Sequence, residues 1–217
     1  MMSPMDSVSP AIHQNHGIGS QVQFAQAGEQ SGSRTKAMDN TMLDDSHAMH
    51  GGSGTEDGEI KQYDAPQAFK AQLDSVYTAY FRVQYSLSHD SLEDAKKQNT
   101  QMVAALKKVD MLLLSGQAHM TWMNELGKIK TSSNGISQAE KIDDARKAFE
   151  GLSESLIRVA KTYGTTGNLN MYRFHCPMAF DSKGADWLQG KSDLENPWFG
   201  SMMLKCGTLE ETISEVK

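Results

Sequence analysis

The clearest regularity in the sequence is a repeat of apolar side chains at helical spacing, which begins after Pro66. Apolar residues at steps of three and four predict one helix from there to about Leu87 and a second helix from about Asp90 to Leu113. A shorter amphipathic piece is predicted next. Residues 131–135 are then expected to form a loop, because Thr, Ser, Asn and Gly occupy that stretch.

The strongest helical pattern lies between Ser137 and Gly164. The run Ser137-Gln-Ala-Glu140 has the spacing of a capping box, in which two side chains satisfy free backbone amides at a helix start. The apolar positions behind it are Ile142, Ala145, Phe149, Leu152, Leu156, Val159 and Tyr163. Short loops between such helices predict an up-down bundle of three to four helices over residues 66–164.

The pattern changes after residue 164. Leu169 to Phe174 is typical of an extended segment, and the prolines and glycines beyond it are too closely spaced for long helices. Both cysteines lie in this stretch, together with Trp187 and Trp198, which we expect to pack it onto the helices. Residues 165–210 are therefore predicted to be a small irregular or β cap that forms one domain with the bundle. The expected fold class is mainly α.

The first 65 residues lack such an apolar pattern. They are rich in Ser, Gly, Gln, Asp and His, and their apolar runs are too short to offset the entropy lost on ordering. Residues 1–65 are therefore predicted to be a disordered, acidic tail or linker that contains His and Met. The start has neither the basic leader nor the continuous apolar stretch of a secretory signal peptide.

Charge is divided unequally between these parts. The 217 residues contain 21 Lys and Arg against 27 Asp and Glu, which gives a formal net charge of −6. Residues 1–65 hold three basic and nine acidic side chains, so residues 66–217 are balanced at eighteen of each. A balanced body without a basic run argues against a nucleic-acid partner. No apolar run approaches the roughly 18 residues of a transmembrane segment.

Two short segments of the predicted cap combine cysteine with methionine. One is His175-Cys-Pro-Met178, and the other runs from Met202 to Cys206. Residues two apart in a strand, or three and four apart in a helical turn, share a face. If the segments meet, thiolates and thioethers converge, and such ligands select soft ions, Cu(I) above all and Ag(I) by the same reasoning. The candidate ligands are Cys176, Met178, Met202, Met203, Cys206 and, if Pro177 turns the chain, His175.

Other interpretations of these segments stay open on the residues alone. Two cysteines in an oxidising compartment often form a disulfide, and buried Cys and Met also serve as apolar filler. Zinc is disfavoured because a structural zinc site needs four nitrogen or sulfur ligands, and Met is a poor one. Catalysis is not expected, because His175 adjoins Cys176 and would face the opposite way in an extended chain. His119, beside Met120 and Met123, is interpreted as an ordinary helix histidine.

The run from Met171 to Gln189, followed by the run from Asn196 to Gly207, resembles a domain-of-unknown-function family. That family occurs as a C-terminal extension of CusB-like periplasmic adaptor subunits, the membrane-fusion proteins of copper and silver RND efflux pumps, and in related secreted bacterial proteins. The resemblance covers roughly residues 66–210 and is most specific in the two cysteine segments. The barrel-sandwich, hairpin and β-barrel parts of a full adaptor have no counterpart in this chain.

The resemblance implies a periplasmic setting, although no signal peptide is present in this chain. It implies a role in heavy-metal efflux or sequestration, with an RND efflux pump adaptor or transporter as a partner, and it supplies no established activity. We therefore expect a helical domain whose cap binds Cu(I) or Ag(I). The alternative is a structural or interaction module that a Cys176–Cys206 disulfide holds together.

Overall fold

Four helices make up most of residues 60–213, the part of the chain that the computed structural model describes. They form two hairpins, in which α1 packs mainly against α2 and α3 packs mainly against α4. The helices are α1 (Gln67–Ser88), α2 (Leu92–Leu106), α3 (Gly116–Gln138) and α4 (Ile142–Tyr163). The prediction of a mainly helical fold is confirmed. The predicted tail lies outside the described residues, apart from positions 60–65.

Several helix ends follow the local chemistry. Pro66 precedes α1, and the Ser91 hydroxyl caps α2 by accepting a hydrogen bond from the backbone amide of Asp94 at 3.4 Å. A serine at this position satisfies one of the amides that a helix start leaves free. Within residues 60–213, no helix combines the length and the apolar character needed to cross a bilayer.

Two of the predicted boundaries are wrong. α2 ends at Leu106, and the stretch that was expected to continue it forms a short 3₁₀ turn, Met111–Leu113. Residues 131–135 are helical and lie inside α3. Ser133 is buried there, and its carbonyl accepts a 2.8 Å hydrogen bond from the side chain of Asn99 in α2. Packing between helices therefore overrides the loop character of these small polar residues.

The predicted capping box is also wrong. Ser137 lies in the last turn of α3, where its hydroxyl donates to the Ser133 carbonyl at 3.0 Å and accepts from the Asn99 amide at 2.9 Å. α4 begins only at Ile142, after Lys141, whose side chain makes no capping hydrogen bond. The Ser137 hydroxyl thus stabilises the end of one helix and not the start of the next.

The C-terminal segment forms a three-stranded antiparallel sheet in the order β2-β1-β3. The prediction of a small β element is thereby confirmed. The strands are β1 (Met171–Cys176), β2 (Ala185–Gln189) and β3 (Thr208–Ile213). β2 packs against α4 and α1, so one face of the sheet covers the helices.

A series of aromatic rings joins the sheet to the helices. Tyr80 of α1 stacks on Phe149 of α4 with ring centroids 5.0 Å apart, and Phe149 lies 5.4 Å from Trp198. Trp198 in turn meets Trp187 of β2 at 6.3 Å, with the ring planes at 90°. Both tryptophans are buried, and their rings fill the space between the sheet and the helices.

Candidate functional site

The two cysteines come together beside the central strand of the sheet. Cys176 is the last residue of β1, and Cys206 lies two residues before β3. Antiparallel pairing of His175 with Thr208 places these two segments side by side. The two sulfur atoms are 3.6 Å apart, and both cysteines are in the free thiol form. The structure thus unites the cysteines of the two sequence segments in a thiol pair.

The two thiols differ in their access to solvent. Cys176 is fully buried, whereas Cys206 is partly exposed. Gly207 allows the Cys206 segment to lie directly against β1. Its φ is +140°, and a Cβ atom there would lie 2.8 Å from the His175 carbonyl oxygen and 3.0 Å from the Trp187 ring. Only glycine accepts this backbone conformation and this approach readily.

A buried asparagine holds the same segment from the other side. The Asn196 amide nitrogen donates a 2.6 Å hydrogen bond to the Cys206 carbonyl, and its amide oxygen accepts from the Trp198 backbone at 2.7 Å. The Asn196 backbone amide also donates to the Leu204 carbonyl at 2.8 Å. Asn196 therefore closes the loop that positions Cys206. Sequence reasoning missed it, because nothing local distinguishes an asparagine before a proline from an ordinary turn residue.

The hydrogen bond between the two thiols affects the protonation of Cys206. The pKa of the Cys206 thiol is raised above its ordinary value, first because it shares a hydrogen bond with the Cys176 thiol and then because it is removed from water. The Cys206 thiol is thus held in its neutral form at neutral pH. An ion that binds both sulfurs as thiolates has to displace protons, which makes its apparent affinity increase with pH.

The predicted thioether ligands lie in the turns next to the thiol pair. Met203 is partly buried, and its carbonyl accepts a 3.0 Å hydrogen bond from the Cys206 backbone amide. Met202 is 79% exposed, and Met178, just after β1, is also exposed. Met203 is therefore the methionine that the backbone fixes in the same turn as Cys206, whereas Met178 and Met202 lie at the surface.

His175 does not join this group. β1 stays regular through Cys176, so successive side chains point to opposite faces of the sheet. The His175 ring nitrogen Nδ1 lies 2.6 Å from the Asp186 carboxylate, which also accepts a 2.5 Å hydrogen bond from Arg173. The turn at Pro177 that would bring His175 round begins after the strand and leaves the ring on the other face. As a candidate ligand, His175 therefore has no support from this geometry.

A buried arginine ties the segment before Cys206 to the helices. Arg146 of α4 is only 8% exposed. Its guanidinium donates to the carbonyl oxygens of Pro197 at 2.8 Å and Leu87 at 3.0 Å, and to the carboxylate of Asp90 at 2.6 Å. Arg146 thus joins α4, the end of α1 and the C-terminal segment. The sequence gives little indication of this role, because Arg146 is simply one arginine that lies next to the apolar positions of α4.

Asp90 extends this connection to the turn that contains the methionines. Its second carboxylate oxygen accepts hydrogen bonds from the Ser201 hydroxyl at 2.5 Å and from the Ser201 backbone amide at 2.9 Å. The Ser201 hydroxyl holds the pKa of Asp90 below its ordinary value, and Arg146 acts in the same direction. Gly200, at φ +59°, approaches both side chains so closely that a Cβ atom would collide with them. The turn Gly200–Met203 is therefore anchored to the helices.

The thiol pair offers a metal ion two sulfur ligands. Within residues 60–213, no group of three or more His, Cys, Asp and Glu side chains is placed to hold a metal ion. Among the described residues, the additional soft donors near this location are thioethers, and Met203 is the one whose backbone shares a turn with Cys206. The residues therefore fit an ion that accepts two thiolates and few other ligands, and they do not fit one that needs a complete set of nitrogen, oxygen or thiolate ligands.

Fold and site together define a helical domain with a small antiparallel sheet, in which a thiol pair lies where two sheet segments meet. Residues 76–168 match the model of a family described as a protein of unknown function (DUF3347). No curated protein and no solved structure matches the chain.

The family match has a different extent from the resemblance described above. It begins within α1 and ends before β1, so it includes neither Cys176 nor Cys206. The sequence resemblance was expected to be most specific in the two cysteine segments and to point to CusB-like adaptors. The matched part is instead the helical one, and the match gives no association with those adaptors.

Proposed function

We propose that this protein is a non-catalytic domain that binds a soft monovalent ion, Cu(I) or Ag(I), through Cys176 and Cys206. The observation that carries the proposal is the 3.6 Å separation of the two sulfur atoms. With thiolate–metal bonds of about 2.3 Å, one ion can contact both sulfurs at an S–metal–S angle of about 100°. The partial exposure of Cys206 provides access, and the burial of Cys176 keeps the bound ion out of bulk solvent.

Ligand chemistry favours Cu(I) and Ag(I) over other ions. Thiolate and thioether sulfur are soft ligands, whereas hard cations take oxygen ligands. Structural zinc requires four nitrogen or sulfur ligands, and the imidazole next to Cys176 in sequence, that of His175, is engaged by Asp186 on the other face of the sheet. We take the Met203 thioether as the third ligand, because the Met203 backbone lies in the same turn as Cys206.

The resemblance in the cysteine segments supports a biological setting. We infer a periplasmic role in heavy-metal efflux or sequestration, with an RND efflux adaptor or transporter as the protein that receives the ion. This part of the proposal depends on the resemblance alone, and the thiol geometry is independent of it.

The same sulfur separation favours a second candidate, a structural module held by a Cys176–Cys206 disulfide. An S–S bond of about 2.05 Å requires the sulfurs to approach by roughly 1.5 Å. The bond would link positions 30 residues apart and would limit the conformations of the unfolded chain. The two candidates exclude one another in any one molecule, because a disulfide no longer offers thiolates to an ion.

An anaerobic competition titration of the full-length, reduced protein against a Cu(I) chelator tests the proposal. The unchanged protein should bind one equivalent of Cu(I) roughly 100-fold or more tightly than the Cys176→Ser, Cys206→Ser variant, because even residues that only orient metal ligands alter affinity by about 10- to 100-fold. Any other Cu(I)-binding sites in the chain are present in both proteins, so the difference between their affinities reports on the two cysteines.

A second variant, Cys176→Ala with Cys206→Ala, controls for the effect of burying a serine hydroxyl, and circular dichroism checks that both variants are folded. Equal Cu(I) affinity in all three proteins would contradict the metal proposal. A gain of two hydrogens in mass when the isolated protein is reduced, together with equal Cu(I) affinities, would favour the disulfide module.

A further inference from the structure

A second group of soft donor atoms lies at the start of α3, separate from the thiol pair. It consists of the side chains of Met111, His119, Met120 and Met123, which we call the α3 donor group. All three methionines are exposed, Met120 to 62%, and His119 is partly exposed. The group therefore combines one imidazole with three exposed thioether side chains within a short stretch of the chain.

The hydrogen bond of His119 prepares its ring to bind a metal. Its Nδ1 atom lies 3.1 Å from the carbonyl oxygen of Met111. A carbonyl oxygen only accepts hydrogen bonds, so Nδ1 carries a proton, and in the neutral form of the ring the lone pair is at Nε2. Metal-binding histidines almost always donate their other ring N–H to a carbonyl or carboxylate in this way, which fixes the tautomer and the ring orientation.

Helical spacing places a thioether beside that ring. His119 and Met123 are four residues apart in α3 and therefore lie on the same face, one turn apart. Met111 belongs to the 3₁₀ turn before α3, and its backbone is fixed next to the ring by the same hydrogen bond. Met120, three residues before Met123, borders the same stretch of helix surface.

We propose that His119, Met123 and Met111 form a second site for a soft monovalent ion, Cu(I) or Ag(I), that acts independently of the thiol pair. Imidazole and thioether ligands both suit Cu(I), and a set without carboxylates does not attract hard divalent cations. The site lacks an anionic ligand, so its affinity is lower than that of a dithiolate. Such a site collects ions at the surface when their concentration is high and releases them readily.

Nuclear magnetic resonance of the full-length Cys176→Ser, Cys206→Ser variant with labelled methionine methyl groups tests this second site. Ag(I) is the probe because it is not redox-active under these conditions. Addition of Ag(I) should shift the methyl signals of Met111 and Met123 in a saturable manner, and the His119 ring signals should shift with them. Because the thiols are absent, the result is independent of the proposed function.

Substitution of His119 by alanine should weaken these shifts by roughly 10-fold or more in apparent affinity, as expected for loss of a ligand. His89→Ala serves as the matched control, because it removes an exposed histidine whose Nδ1 also lies beside a helix carbonyl, that of Tyr85 at 2.9 Å, but which is outside the α3 donor group. It should leave the shifts unchanged. Methyl signals of Met111 and Met123 that do not respond to Ag(I), or that respond equally in the His119→Ala protein, would overturn the proposal. That result would leave the exposed methionines as a purely apolar surface.

Discussion

Replacement of Trp187 by alanine is expected to lower the free energy of unfolding by about 4 kcal/mol, the middle of the range for removing a large buried aromatic side chain. The Trp187 ring is fully buried and lies 5.6 Å from the Phe174 ring and 6.3 Å from the Trp198 ring. It also packs against Gly207, next to Cys206. Chemical denaturation of the full chain, followed by circular dichroism, measures the change.

Tyr85→Ala is the matched control for the loss of an aromatic ring. Tyr85 is exposed on α1, so its removal should cost about 1 kcal/mol or less. If the Trp187 variant lost no more stability than the Tyr85 variant, the packing of the sheet on the helices through the aromatic rings would be contradicted.

Replacement of Arg146 by alanine should destabilise the protein by about 3 kcal/mol, because removal of one partner from a buried charged network leaves the others unpaired. The groups left behind include the carbonyls of Leu87 and Pro197 and one carboxylate oxygen of Asp90. The turn Gly200–Met203 would lose part of its attachment through Asp90. Thermal and chemical unfolding of the same variant give the magnitude.

Lys147→Ala provides the control for charge, since Lys147 is the exposed neighbour of Arg146 on α4 and its loss should change stability by less than about 0.5 kcal/mol. Arg146→Lys should recover only part of the stability, because an ammonium group cannot reproduce the divergent hydrogen bonds of a guanidinium. Full recovery in the lysine variant would show that charge alone, and not the donor geometry, matters at this position.

The helices could be predicted where burial and apolar spacing agree. α4 buries the residues that its repeat marks, among them Phe149 and Leu156, and it ends at the predicted position before Gly164. The middle of α3 could not be predicted, because Ser133 has the local preferences of a loop residue, whereas in the fold it is buried in a helix and bonded to Asn99 of α2. The local sequence pattern does not predict the conformation of a segment when contacts with residues distant in sequence determine it.

The same limit applies to the candidate site. The alternation of a strand was enough to indicate that His175 faces away from Cys176, and the pairing with Asp186 agrees with it. The supports of the Cys206 segment could not be predicted, because Asn196, Asp90 and Arg146 act through contacts between distant parts of the chain. No sequence motif marks these residues, and their contacts with the Cys206 segment become visible only in the folded structure.

The most direct test of the thiol-pair proposal is X-ray absorption spectroscopy of the full-length, reduced protein loaded with one equivalent of Cu(I). We expect at least two sulfur neighbours at about 2.3 Å from the metal, the usual length of a metal–thiolate bond. In the Cys176→Ser, Cys206→Ser variant under the same conditions, this thiolate shell should be lost, and any metal that is still bound should show the mixed nitrogen and thioether neighbours of the α3 donor group. A metal surrounded by nitrogen and oxygen in the unchanged protein, or a sulfur shell that is identical in the two proteins, would contradict binding at the thiol pair.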